Sequence, residues 1–455
     1  MKLSLKEKLI FSCGNLGVAM IQVIHMLFLV SIFFPSNKMR LDYVIPQGSV
    51  FVGITVLGII LFSSRLFDAV TDPIIANWTD NFKSKHGKRI PFMRMAAIPF
   101  ALVSVLVFFV PVVTGIASIN IVWLTVFMFL TAIFFTLYTV PFYALIVDMA
   151  KLPEDKVDLG TYSSAFWFVG FLLVASVTAV WVPLENLLSI TRLESIQLSF
   201  VIVGIIGSLF MLVPAFLLDG AKYHSESSNE KITFMKSVKT VSKNKSFMAF
   251  FVGNTAYGVA TYIFETGLLY YITVLALLDE SVNGLLTTVI GVFTLLSYPF
   301  INKFAKKYGK RPVMVIGFIL FALTFLVISL LGLGGVNPYI LLGGMVFLVP
   351  FSQAAFGILP TVMSADCAAY DTYKTSEDKS GMYLAAMGFS LKLGGSIATI
   401  LFTSFLLMGK DVGDDFGIRF GAIFGIGLAV IGIIAMLFYN EKEILTYAEG
   451  ERNEV

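Results

Sequence analysis

The chain has 455 residues, of which 57% are hydrophobic and 13% are charged. Soluble domains carry about 25% charged residues, so most of the surface of this protein is expected to face lipid. The net charge of +3 argues against nucleic-acid binding, and two cysteines far apart in the sequence argue against a disulfide framework or a cysteine-ligated metal site.

Apolar runs of about 20 residues, the length that crosses a bilayer, follow one another along the chain. The first run, Leu9 to Phe34, is too long for the core of a signal peptide and is predicted to be a retained span. Together the runs predict twelve transmembrane helices, which begin near Leu9, Val50, Pro91, Ile119, Thr161, Ile196, Phe247, Val282, Val313, Ile340, Met382 and Gly417.

The longest connection, rich in Lys, Ser and Glu, lies between spans six and seven. It predicts an N-terminal six-helix bundle at residues 1–219, a cytoplasmic loop at 220–246, a C-terminal six-helix bundle at 247–440 and a cytoplasmic tail at 441–455.

Lysine and arginine are concentrated on the connections that share a side with both termini. The opposite connections hold only Lys38, Arg40, Arg192 and Lys410. By the positive-inside rule we expect a multi-pass protein of the cell inner (plasma) membrane with both termini in the cytoplasm.

Span two carries three charges on one face. Arg65, Asp68 and Asp72 fall within roughly 60° of one another on a helix, and each would cost about 2.5–3.5 kcal/mol at the centre of a bilayer. Two carboxylates against one guanidinium leave one negative charge in excess, which Na⁺ or a proton could neutralise. The pattern predicts a cation site at Asp68 and Asp72 with Arg65 as charge balance, and its alternative is a structural Arg–Asp pair.

A short basic motif follows span two and recurs after span eight, about half the chain later. In both places a glycine precedes two basic residues, and a proline opens the next span. The repeat predicts equivalent cytoplasmic loops in two structural repeats, with the motif residues Gly87, Lys88, Arg89, Gly309, Lys310 and Arg311.

Polar residues recur at helical spacing on one face of several other spans, which predicts a shared hydrated interior, although such stripes often serve only helix–helix contact. Glu265 and Lys392 are lone charges inside spans and are therefore functional candidates. We expect Lys392 to balance the charge of Asp68 or Asp72 when no cation is bound. The candidate substrate-binding residues are Asn15, Gln22, Thr139, Tyr143, Tyr257, Thr261 and Glu265, of which the two tyrosines could stack on sugar rings.

No arrangement typical of catalysis is found. The three histidines lie in separate regions, and no H-E-x-x-H, Walker or G-x-S-x-G motif has a suitable context. We expect no catalytic residues, no cofactor and no metal beyond Na⁺. The alternative from another class, an intramembrane enzyme with Asp68 and Asp72 as an acid pair, lacks a nucleophile.

Several motifs along the chain carry a family resemblance. They are Arg65-x-x-Asp68-Ala69-x-x-Asp72-Pro73, Gly87-Lys88-Arg89-x-Pro91, Pro141-Phe142-Tyr143-Ala144-Leu145 with Asp148, Ala365-Asp366 with Tyr370, Lys374-Thr375, Gly381, and Lys392-Leu393-Gly394-Gly395. In these motifs the chain resembles the glycoside-pentoside-hexuronide:cation symporter family, the melibiose-permease group of the major facilitator superfamily. The resemblance covers nearly the whole chain and implies twelve helices in two six-helix bundles.

The resemblance also implies residue roles. Asp68 and Asp72 match the cation-site carboxylates of the family, and Thr136 matches the span-four threonine that faces the coupling ion. Lys392 falls at, or one residue from, the span-eleven lysine of the family.

On the sugar side the chain departs from the family pattern. Ala19 and Thr139 stand where melibiose-type members carry aspartates, and Ser163 or Ser164 stands where they carry an arginine. The departure argues against galactoside recognition, and Glu265 is a candidate replacement acceptor for substrate hydroxyls.

These observations predict a secondary active transporter that couples Na⁺ or H⁺ flow to symport of a sugar or glycoside by alternating access. The alternative is a transporter of the same fold for a lysolipid or another amphiphile. The expected partners are a small-molecule substrate and the lipid bilayer, without nucleic acid, and a monomer is the default.

Overall fold

The computed structural model of this protein describes residues 3–51, 53–82, 84–150, 152–220, 222, 241–375 and 380–445. Most of the predicted loop 220–246 and the predicted tail beyond residue 445 lie outside the described residues. The described chain is almost entirely helical, and a helix lies at each of the twelve predicted spans.

The described helices, in chain order, are α1 (Leu5–Phe33), α2 (Val56–Asn81), α3 (Ile90–Leu106), α4 (Ser118–Met149), α5 (Pro153–Ala175), α6 (Thr178–Leu188), α7 (Arg192–Leu217), α8 (Lys245–Tyr270), α9 (Ser281–Tyr308), α10 (Lys310–Leu330), α11 (Pro338–Thr375), α12 (Ser380–Phe405) and α13 (Phe416–Leu437). A π-helical segment, Tyr271–Leu275, extends α8, and 3₁₀ turns lie at Asn37–Met39 and Leu406–Met408. An antiparallel hairpin of β1 (Ser49–Phe51) and β2 (Ile54–Thr55) precedes α2.

Ten of the described helices are long and apolar enough to cross a membrane. Helix α2 is not among them because Arg65, Asp68 and Asp72 lie in its middle, and α3 has only 17 residues. Helix α6, with 11 residues, has no counterpart among the predicted spans. The prediction of an all-α polytopic membrane protein is confirmed.

The start of α2 corrects the sequence prediction. The apolar run predicts a start near Val50, but a hairpin occupies that stretch and the helix begins at Val56. Gly53 has a φ of 79°, which a right-handed helix does not allow, and Thr55 caps the helix by accepting a 2.9 Å hydrogen bond from the backbone N–H of Gly58. The turn at Gly53 thus outweighs the apolar character of its neighbours.

Helix α5 also begins before the predicted position near Thr161, because its acidic first turns have a partner. Asp155 is fully buried, and the ammonium of Lys8 in α1 lies 2.8 Å from Asp155 Oδ1 and 2.6 Å from Asp158 Oδ2. This pairing neutralises the two aspartates, so the helix can include residues that hydropathy alone would leave outside the span.

The chain divides into two compact units. The first comprises Met1–Ser228 with Leu278–Thr288, and the second comprises Asn229–Leu277 with Val289–Val455.

In the first unit, α1 is the central helix and packs against α5 and α7. A Cβ on Gly17 would lie 2.3 Å from the carbonyl oxygen of Gly207 in α7, so the two backbones approach closely only because residue 17 is glycine. Phe11 stacks on Phe142 of α4 with ring centroids 4.4 Å apart. These contacts hold the polar residues of α1 and α4 in one register.

In the second unit, α8 packs against α12 and α13, and α10 packs against α11 and α13. A Cβ on Gly394 of α12 would lie 2.8 Å from the carbonyl oxygen of Thr255 in α8. Phe247 and Tyr383 make an edge-to-face contact at 4.7 Å. Small residues therefore bring α8 and α12 together, much as Gly17 does for α1 and α7.

Candidate cation and substrate site

Helix α2 presents its acidic face to α4, and two contacts fix the register of the pair. The hydroxyl of Ser64 donates to the carbonyl of Met128 over 3.1 Å, and the rings of Phe67 and Phe129 lie 4.9 Å apart. Asp68 follows directly and is only 9% exposed.

Thr136 of α4 lies between the two predicted cation-site carboxylates. Its Oγ1 lies 2.6 Å from Asp68 Oδ1 and 3.1 Å from Asp72 Oδ1, and the side chain is fully buried. One hydroxyl has one proton, so it donates fully to one carboxylate at a time and leaves the charge of both carboxylates in place. Together with Arg65, which is partly buried on the same helix, the cluster keeps a formal charge of about −1.

Two prolines leave backbone carbonyl oxygens unbonded within the two helices that carry this cluster. Pro73 lies inside α2 and has no N–H for the carbonyl of Ala69, and Pro141 has the same effect on the carbonyl of Leu137 in α4. Carboxylate, hydroxyl and carbonyl oxygens are the ligands that hard cations prefer. The described residues hold no group of three or more His, Cys, Asp or Glu side chains placed to bind a metal ion.

Two of the predicted substrate residues of the first unit meet. The Tyr143 hydroxyl donates to Asn15 Oδ1 over 2.9 Å, and Asn15 Nδ2 donates to the carbonyl of Ser163 over 2.9 Å. Tyr143 remains 44% exposed. Thr139 donates instead to the Phe135 carbonyl of its own helix over 2.8 Å, and Gln22 is partly buried on α1.

Ala19 lies in a position that has no room for a longer side chain. It is fully buried, and a Cβ on Gly170 of α5 would lie 2.9 Å from the Ala19 Cβ. The close packing of α1 against α5 at Ala19 therefore explains why a small residue stands where melibiose-type members carry an aspartate.

In the second unit, Tyr257, Thr261 and Glu265 share a face of α8 by their spacing. The ring of Tyr257 stacks on Phe356 at 3.6 Å and 8°, so one of its faces is already covered and the expectation of sugar stacking is limited to the other face. Glu265 is partly buried. Lys392 is partly buried on α12, where its carbonyl accepts from Ser396, and its charge-balancing role stays a prediction.

The loop motif of the first unit is held by one buried arginine. Gly87 has a φ of 81°, and a Cβ there would lie 2.5 Å from the carbonyl oxygen of Gly220. Arg89 donates from Nε to Asp148 Oδ2 over 3.3 Å and from Nη1 to Thr79 Oγ1 over 3.1 Å. Lys88 is partly buried.

In the second unit the motif contacts two acids. Gly309 has a φ of 95°, and the Lys310 ammonium lies 2.5 Å from Asp366 Oδ2. The backbone N–H groups of Lys310 and Arg311 donate to the Glu441 carboxylate over 2.6 and 2.9 Å. The carboxylate of Glu443, beyond the last span, accepts a hydrogen bond from the Tyr370 hydroxyl, and this bond lowers the pKa of Glu443.

Sequence reasoning did not identify these acidic partners. The signal for Asp148 and Asp366 was available, because each follows its basic motif in the same order within its half of the chain. No local pattern distinguishes Glu441, which lies far from Lys310 in sequence.

Comparison with known proteins places the chain among transporters. A family described as MFS/sugar transport protein matches residues 10–439. The uncharacterized symporter YjmB of Bacillus subtilis (strain 168) is 24% identical over 444 residues, which cover 95% of this chain and 85% of that protein.

Two further relatives differ from each other in named cargo. The isoprimeverose transporter of Lactiplantibacillus pentosus is 23% identical over 415 residues, covering 86% of this chain and 82% of that protein. The sodium-dependent lysophosphatidylcholine symporter 1 of Gallus gallus is 23% identical over 431 residues, covering 85% of this chain and 79% of that protein.

A solved structure has the same fold. The nucleoside transporter NupG matches with a TM-score of 0.67 and 15% identity, covering 95% of this chain and 98% of that chain. At this identity the likeness concerns the fold alone, and it agrees with the predicted polytopic architecture.

Proposed function

We propose, because the chain belongs to the MFS/sugar transport protein family, that it couples inward flow of Na⁺ to symport of a small polyhydroxylated substrate, a sugar or glycoside. Membership in this family confirms the resemblance found in the motifs and the prediction of a membrane transporter rather than an enzyme.

The observation that carries the proposal is the position of Thr136 between Asp68 and Asp72. A proton needs only one carboxylate, whereas Na⁺ requires several oxygen ligands, of which two carboxylates and one hydroxyl come together here. The oxygen set therefore favours Na⁺ over H⁺ as the coupling ion.

Coupling follows from the charge of this cluster. A net negative charge inside a membrane is costly, and a bound cation removes most of that cost. Cation and substrate act together when both bind one conformation of the transporter more tightly than the other. In this scheme Asp68 and Asp72 hold the cation, and Arg65 and Lys392 balance their charge.

The substrate side rests on the polar stripes. Asn15 and Tyr143 form a hydrogen-bonded pair that can exchange bonds with substrate hydroxyls, and Tyr143 is exposed enough to do so. Glu265 is the proposed acceptor in the second unit. The name of the Lactiplantibacillus relative, an isoprimeverose transporter, supports a sugar or glycoside as the substrate, whereas the packing at Ala19 argues against melibiose-type recognition of galactosides.

For the location of the protein we propose the cell inner membrane with both termini in the cytoplasm. The proposal rests on the distribution of lysine and arginine among the connections.

Uptake into right-side-out vesicles tests the function. Radiolabelled pentoses, disaccharides and glucuronides are offered under an imposed Na⁺ gradient or an imposed pH gradient, with wild type compared to Asp68→Asn. Asp42→Asn, at an exposed loop acid, is the matched control. We expect accumulation under the Na⁺ gradient for wild type and control, and only equilibration for Asp68→Asn.

Accumulation under the pH gradient alone would replace Na⁺ by H⁺ as the coupling ion. Accumulation that survives in Asp68→Asn would make Asp68 structural and overturn the cation-site assignment.

A second candidate function is transport of an amphiphile such as a lysolipid. The close packing around Ala19 leaves no room for an acid that could bind substrate hydroxyls. In addition, one relative is named for lysophosphatidylcholine symport. Competition distinguishes the two functions. Free sugars should block uptake of the labelled sugar, whereas inhibition by lysolipids alone would favour the amphiphile.

A further inference from the structure

An apolar groove of about 410 Å³ lies in the second unit, between the end of α9, the start of α10 and the middle of α11. Phe304 and Tyr308 of α9, Ile316 of α10 and Phe351 of α11 are among its walls. These side chains are 37–58% exposed, so the groove opens outward instead of into the core.

The chemistry of the groove does not suit the proposed cargo. Its lining residues are apolar except for the hydroxyl of Tyr308, and none of them is charged. A sugar would lose its hydrogen bonds to water there without replacement. All three helices are long and apolar enough to cross a membrane, so the groove faces hydrocarbon and suits an acyl chain.

Two lysines lie in the last turn of α9, where the groove ends. By its spacing Lys306 is on the face of the helix opposite Phe304 and Tyr308, so Lys307 is the lysine on the groove side. Lys306 and Lys307 occupy the last turn of α9 and are exposed, and the Lys307 ammonium lies 5.0 Å from the centroid of the Tyr308 ring. Among the described residues, neither lysine has an ion pair with an acidic side chain. The next two basic residues are engaged, because Lys310 pairs with Asp366 and Arg311 donates to the Leu437 carbonyl.

Lysines at a helix C-terminus also interact favourably with the helix dipole, which is the structural reason for their presence. That interaction explains the charge but not the long apolar groove that ends beside it. An amphiphile with an anionic head satisfies both features, because its chain fills the groove and its phosphate lies where the membrane interface is expected.

We propose that this groove binds a phospholipid with an anionic headgroup, with an acyl chain along Phe304, Ile316 and Phe351 and the phosphate beside Lys307. The site lies within one unit and does not depend on the proposed function.

Native mass spectrometry of the delipidated full chain tests the proposal. The protein is titrated with dioleoyl phosphatidylglycerol or with dioleoyl phosphatidylcholine, which have the same acyl chains. A lysine near a membrane surface contributes about fivefold in affinity for an anionic lipid, so wild type should prefer phosphatidylglycerol by roughly fivefold. Lys307→Gln should bring the ratio of the two dissociation constants close to 1, whereas Lys306→Gln, on the opposite face of the same turn, should keep the preference.

Two further variants separate a site from general surface charge. Lys85→Gln removes the same charge from an exposed lysine of the first unit and should keep the preference. Ile316→Trp fills the groove and should weaken the binding of both lipids to a similar degree.

An equal loss of preference in Lys307→Gln and in Lys306→Gln or Lys85→Gln would reduce the effect to bulk charge and overturn the proposal. Failure of wild type to retain either lipid would also overturn it.

Discussion

The ammonium group of Lys310 lies 2.5 Å from the carboxylate of Asp366 in the second unit. In the first unit, Arg89 lies 3.3 Å from Asp148. In each unit a basic residue of the loop motif thus bonds an acid on a later helix, which is α4 in the first unit and α11 in the second. The two pairs use different positions of the motif, because Lys310 corresponds to Lys88 and Arg311 to Arg89, so the equivalence of the two loops stays a prediction.

Asp366→Asn should destabilise the protein by about 1–2 kcal/mol, because it leaves a partly buried ammonium without its carboxylate. Thermal unfolding in detergent measures the change. Lys303→Met, at an exposed lysine of α9, should stay within about 0.5 kcal/mol of wild type. If Asp366→Asn behaves like this control, the pair does not contribute to stability.

Arg89→Ala should cost more, about 3–5 kcal/mol, because Asp148 is only 6% exposed and would remain buried without its guanidinium. Arg89→Lys should recover only part of the loss, since one ammonium does not reproduce the two directed bonds to Asp148 and Thr79. The same unfolding measurement applies, and Lys88→Ala is the neighbouring control. Equal stability of the alanine and lysine variants would contradict the geometric argument.

Thr136→Val should raise the Na⁺ concentration for half-maximal uptake by about 10- to 100-fold, because a hydrogen bond to a charged group contributes about 1.5–3 kcal/mol. Thr136→Ser keeps the hydroxyl and should restore most of the cation dependence. Thr125→Val makes the same change at a hydroxyl that bonds only the Ile121 carbonyl and serves as the control. An unchanged Na⁺ dependence in Thr136→Val would remove Thr136 from the cation site.

Lys410 should make stability depend on alkaline pH. It lies in the loop before α13, and burial lowers its pKa from 10.5 to about 8. Between these values the unfolded chain holds a proton that the folded chain has released, so the free energy of unfolding rises with pH across this window. Lys410→Met removes the cost of burying the charge.

The Lys410→Met variant should therefore be more stable than wild type at pH 7, by up to about 3 kcal/mol, and as stable as wild type near pH 10.5. Unfolding scans at both pH values measure the difference, with Lys38→Met at an exposed lysine as the matched control. A difference that is constant with pH would contradict the assignment.

Much of the fold could be predicted because the decisive signals are local. Twelve apolar runs correspond to twelve helices, and the charges of Arg65, Asp68 and Asp72 mark one helix face before any partner is known. Boundaries were less accurate where a local signal was outweighed. A positive φ at Gly53 delays the start of α2, and Lys8 allows α5 to begin among acids.

The same distinction between local signals and tertiary contacts applies to the candidate site. The sequence by itself determined that the charges of α2 must face the interior, because hydrocarbon does not tolerate them and helical spacing puts them on one face. Only the tertiary structure decided which groups meet them. Thr136 contacts both acids, Phe356 covers one face of Tyr257, and Glu441 contacts the start of α10. The sequence does not reveal these contacts, because they join residues that are distant in sequence and depend on how the helices pack.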